Sequence, residues 1–158
     1  MSVNRFQPHL FVLPEDDADR QLALGFQLGM PSRQVRSLPE AGGWRSVVER
    51  FASDEVGGMR KYNHRFIVLL IDFDGNPNRL NEVRGTLPAD IANRVFVLGP
   101  LTKPEHLKPG LGKSFEEIGR AMAYDCRNGT DAIWSHPLLQ HNAEELARIR
   151  VVCEFLLA

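Results

Sequence analysis

Cysteine, tyrosine and tryptophan are scarce in this chain of 158 residues, with two of each. No apolar stretch approaches the width of a bilayer: the run ending at Ile71 is far shorter than the ~20 residues a membrane helix requires, so no span is expected. Cys126 and Cys153 lack the short spacing of a metal or redox motif and follow no secretory leader, which makes reduced core thiols in a cytoplasmic protein the expectation. Charge of one sign is also missing, since 19 basic residues face 20 acidic ones for a formal charge of −1. That excludes a protein that coats nucleic acid by bulk charge, while leaving room for a local basic patch. Repeats and low-complexity tracts are absent too, and the length suits a single domain, residues 1–158, with one core.

What the chain does have is an alternation of short apolar runs with helical periodicity. "HLFVLP" (9–14), "RQVRSL" (33–38), "HRFIVLLIDFD" (64–74) and "RVFVLG" (94–99) read as strands. Helical patterns separate them: residues following Asp16, then 42–55 with Trp44, Val47, Val48 and Phe51 in step, then a short helix after "GNPN". Gly57 and Gly58 are expected to end the second helix. Strands that alternate with helices pair in parallel through right-handed crossovers. The expected fold is therefore a three-layer α/β domain with a mainly parallel four-stranded sheet. Its core spans about 8–110, and two helices near Ser114–Arg127 and Asn142–Leu157 form a C-terminal tail.

Two acidic groups stand at the predicted carboxyl ends of strands, where open parallel sheets bind ligands. "LLIDFDG" carries Asp72 and Asp74 two residues apart, a spacing that turns both side chains to one side of an extended chain. "LPEDDADR" carries Glu15, Asp16, Asp17 and Asp19. A helix start accounts for one or two acids, through capping by Asp16 or Asp17 and the helix dipole. Glu15 and Asp19 are four apart, a spacing that puts both on one helical face. Carboxylates crowded this closely repel unless a cation intervenes, and hard oxygen ligands suit Mg²⁺ or Mn²⁺.

A glutamate after the first strand, an aspartate four residues on and a D-x-D after a central strand resemble the TOPRIM domain of topoisomerases, primases and OLD-like nucleases. The Glu15-x3-Asp19 spacing resembles the nuclease branch. The resemblance covers about residues 8–110 and departs from the family at Pro14, where a glutamate-glycine turn is usual. It implies phosphodiester chemistry on DNA or RNA with Mg²⁺ or Mn²⁺. Glu15, Asp72 and Asp74 would be catalytic, and Asp19 and Glu105, the latter after the fourth strand, would complete the metal ligands. The resemblance leaves open a partner such as an ATPase, and the apolar residues of "EFLLA" leave open a second copy of the chain. Neither Tyr62 nor Tyr124 lies in a recognisable strand-passage module, so hydrolysis is favoured over transesterification.

Other readings compete. "IDFDG" also resembles the first motif of haloacid dehalogenase-type phosphatases, although there it opens the domain and here it is the third strand. A non-catalytic partner or regulatory protein could keep the fold and use its acids as caps and surface charge. "GLGKS" (110–114) lacks the first glycine of a phosphate loop, since Leu107 stands at that position. It reads as a helix start with Ser114 and Glu117 in a capping box, leaving Lys113 as a candidate phosphate contact. "MRKYNHR" (59–65) is basic but precedes a strand, at the edge opposite the acids.

Overall fold

The computed structural model describes residues 3–157 and realises the α/β architecture. Strands β1 (His9–Pro14), β2 (Val35–Ser37), β3 (Arg65–Leu70) and β4 (Val95–Leu98) form one sheet in the order β2-β1-β3-β4, and every pair is parallel. β3 is central, and "RFIVLL" reads as an unbroken apolar run because a parallel strand covered on both faces has no polar side to show.

Side chains alternate between two cores. Leu10, Val12, Val68, Leu70, Phe96 and Leu98 face helices α1 (Asp17–Gly29), α5 (Phe115–Asn128) and α6 (Ala143–Leu157). Leu13, Ile67, Leu69, Ile71, Val95 and Val97 face the other side, where α2 (Trp44–Arg50), α3 (Val56–Lys61) and α4 (Arg79–Arg84) pack. α1 and α5 meet at glycines: a Cβ on Gly25 would strike the Glu116 carbonyl, and one on Gly119 would strike that of Leu22. The tail helix packs through Leu146, Ile149, Val152, Cys153 and Leu156, its apolar stripe.

α6 also closes an open sheet edge. Glu145 Oε1 accepts from the Val97 amide at 3.0 Å and from Arg84 Nη1 at 2.6 Å, while Arg148 donates to Oε2. Asn142 accepts from the Gly99 amide and donates to its carbonyl. The exposed groups of β4 are thus satisfied by side chains, one of the ways proteins protect an edge strand. No helix among the described residues is long and apolar enough to cross a membrane.

The structure differs from the sequence reading at the second helix. Gly57 and Gly58 do not end it: α2 runs through a π-turn (Phe51–Glu55) into α3, which contains both glycines. Gly58 is there for packing, since a Cβ would meet the Arg65 guanidinium, which is sandwiched between Phe11 and Tyr62. Arg65, which ends the basic stretch leading into β3, is not free to form a solvent-facing patch. It is buried and donates to the His9 imidazole at 3.0 Å.

Candidate metal centre

β1 leads to β2 on one side and β3 lies on the other, so the sheet's topological switch point falls between the carboxyl ends of β1 and β3. Three buried carboxylates meet at this point. Glu15 follows β1, Asp19 sits in the first turn of α1 and Asp72 follows β3, and one oxygen from each lies within 4.8 Å of the others.

Each acid is placed by local backbone chemistry. Asp16 is the N-cap of α1, accepting the Asp19 amide at 3.0 Å, and Asp17 turns outward to Arg20. Glu15 therefore precedes the helix, and its proximity to Asp19 comes from a strand end meeting a first helical turn rather than from a shared helical face. The Glu15 amide continues the ladder to Leu70, and its carboxylate then accepts the Asp72 amide at 2.6 Å. A side chain thus takes over where the parallel ladder between β1 and β3 stops. On the other flank Gly99, at φ 152°, lets β4 press against the Ile71 backbone just before Asp72, a position where a Cβ would collide with the Ile71 carbonyl.

Asp72 and Asp74 differ in burial and backbone conformation, and Asp74 is not within the 4.8 Å group although its charge acts on Asp72 and Glu15. β3 ends at Leu70, Phe73 turns into the core, and Asp74 adopts a left-handed conformation with φ 52°. Asp72 is 4% exposed, whereas the Asp74 side chain is 45% exposed and pairs with Arg79 Nη1 at 3.2 Å. Glu105 is exposed in a 3-10 turn (Pro104–Leu107) and does not belong to the acidic group. Lys113 is also distant. It borders a shallow depression with Leu28 and Gly29 at the far end of α1, about 20 Å of helix from the acids. The capping box of Ser114 and Glu117 is present as the sequence indicates.

The electrostatics are those of an uncompensated site. Burial pushes the Asp19 carboxyl up to about 11, with the neighbouring Asp72 charge adding to it. Burial likewise raises Asp72, to about 7, against a hydrogen bond shared with Asp19 and with the charge of Glu15 adding to the rise. Glu15 is raised by burial and by the charges of Asp74 and Asp16, opposed by the hydrogen bond from the Asp72 amide. Both Asp19 oxygens and Asp72 Oδ1 are buried, and no residue outside this acidic pair donates to them. Carboxylate oxygens in this position are satisfied by protons or by a cation, and the all-oxygen donor set fits Mg²⁺ or Mn²⁺.

Arg79 and Trp44 are the residues that sequence reasoning missed. Trp44 read only as an apolar helix position and Arg79 as part of the short helix after "GNPN", and a separation of 35 positions leaves no periodicity to link them. In the fold the Arg79 guanidinium lies 4.1 Å from the Trp44 ring centre.

Fold and site together define a doubly wound α/β domain with an acidic cluster at its switch point. No family model, curated protein or solved structure matches the chain.

Proposed function

We propose that this protein binds Mg²⁺ or Mn²⁺ through Glu15, Asp19 and Asp72 and acts on nucleic-acid phosphodiesters as a TOPRIM-like nuclease. The observation that carries the reading is the convergence of three buried carboxylates, with no basic side chain donating to Asp19 or to Asp72 Oδ1, at the ligand-binding edge of a parallel sheet. A bound ion would supply charge stabilisation at phosphorus and lower the pKa of a coordinated water. The chain's own groups do the rest. Asp19 and Asp72 hold the ion. Glu15, fixed by the Asp72 amide, uses its second oxygen as a ligand or as an acceptor for a water proton. Asp74 is engaged by Arg79 and stands outside this ligand set.

The test is cleavage of single- and double-stranded DNA and RNA oligonucleotides with Mn²⁺ or Mg²⁺, comparing wild type with Asp72→Asn. Metal-dependent cleavage lost in the variant supports the reading. A protein that binds the ion and cleaves nothing is instead the non-catalytic partner, a reading favoured by the balanced net charge.

A further inference from the structure

We propose that Arg79, stacked on Trp44, forms an oxyanion subsite beside the acidic cluster and takes a phosphoryl group of the substrate. The inference rests on the metal-dependent reading above and gives that site its recognition element.

Arg79 opens α4 and is 9% exposed. Its guanidinium carries five N–H donors, and burial requires acceptors for them. Nη1 reaches Asp74 at 3.2 Å and the Asp72 carbonyl at a long 3.5 Å, while Nε is buried without a partner. The Trp44 face attracts the cation but accepts no conventional hydrogen bond. A clamp serving only to hold the loop would be expected to use these donors, because leaving one buried and unmade costs more than making it gains. Arg79 thus keeps an unmade donor at Nε while Nη1 alone is engaged, by a carboxylate that is itself half exposed.

Its position ties it to the acids. Its own partners are the carbonyl of Asp72, one of the proposed ligands, and the carboxylate two residues on. Trp44, whose ring it lies over, opens α2 just after Gly42 and Gly43, whose amides both donate to the Glu15 carbonyl. Arg45 also lies over the Trp44 ring, at 5.4 Å, adding a second cation to the same corner. An anion approaching three bare carboxylates would be repelled, and with a divalent ion between them the repulsion is reversed. The ligand must then present one oxygen to the ion and two to a planar fork. A phosphoryl group has the oxygens to do both, and bidentate Arg–phosphate pairing is among the stronger charge-assisted contacts. Asp74 holds the guanidinium until the phosphoryl oxygens replace it.

Trp44 supplies a direct readout. The chain has two tryptophans, and Trp134 lies in the core on the opposite face of the sheet, so Trp134→Phe leaves Trp44 as the sole reporter. Inorganic phosphate is titrated into this parent in saturating Mg²⁺ while Trp44 emission is followed, and Mg²⁺ binding is measured separately by calorimetry. A saturable change in emission is expected in the parent, absent from Arg79→Ala, with Mg²⁺ binding retained in both. Arg79→Lys, which keeps the charge but loses the fork, should bind phosphate roughly tenfold more weakly. It also serves as the working variant if Arg79→Ala fails to fold by circular dichroism. Retained Mg²⁺ binding with no phosphate response, or with equal responses in parent and Arg79 variants, overturns the subsite and leaves the metal reading standing. Absent Mg²⁺ binding overturns the metal reading instead. In that case a phosphate response lost in the Arg79 variants still supports the subsite, and its absence overturns both.

Discussion

Asp19 and Asp72 set the chemistry at the scale of single residues. A carboxyl whose folded pKa lies above its unfolded value stabilises the fold while protonated. Its contribution is complete below the unfolded value near 4 and is lost as pH rises through the folded value. For Asp72 that loss runs from about 4 and is complete above about 7, and for Asp19 it continues to higher pH. Urea midpoints measured in chelator should therefore fall from pH 5 to pH 8.5, and Mg²⁺ should restore stability most at the alkaline end, where it competes with fewer protons. Asp19→Asn should flatten this slope and raise Tm of the metal-free protein at pH 8 by about 2–5 °C, because Asn is neutral in both states and removes the cost of keeping the buried carboxyl protonated. A large destabilisation by Asp19→Asn would mean that the carboxylate is a structural partner. At Asp74, the Asn substitution frees Arg79, so phosphate should bind several-fold tighter; if Asp74 were a metal ligand the same change would weaken Mg²⁺ binding.

Elements carry the site because each ends at the right place, and this is where side-chain docking can be tested. Glu145 is 4% exposed and satisfies Val97, Arg84 and Arg148 together. Glu145→Ala should cost about 3 kcal/mol in urea denaturation, since it leaves the Val97 amide unmade beneath a helix. Gly119→Ala should cost about 2 kcal/mol by overpacking, as its methyl meets the Leu22 backbone and forces α5 away from α1. The strands were legible in the sequence because both faces of a parallel sheet are covered, which leaves unbroken apolar runs such as "FIVLLI". The run through Gly57 and Gly58 was not legible, because the Arg65 guanidinium that Gly58 accommodates comes from the following strand. For the same reason the spacing of Asp72 and Asp74 misled: period-two alternation holds only within a strand, and β3 stops at Leu70.

Across the whole molecule, the order β2-β1-β3-β4 makes the ends of β1 and β3 neighbours, bringing together acids that are 57 positions apart in sequence. Sequence reading located Glu15, Asp19 and Asp72 by expecting acids at strand ends. It could not separate them from Glu105 or Lys113, whose distance from the cluster depends on how α5 and the 3-10 turn pack. The opposite end of the sheet, with Arg65 locked to His9 and stacked between aromatic rings, is structural.

The central claim is that the buried acids form a cation site, and calorimetric titration of Mn²⁺ at pH 8 into wild type and the Asp19→Asn, Asp72→Asn double variant tests it most directly. Saturable binding by wild type, abolished in a variant that still unfolds cooperatively, is the predicted result. Equal binding by both proteins, or none by either, would contradict it.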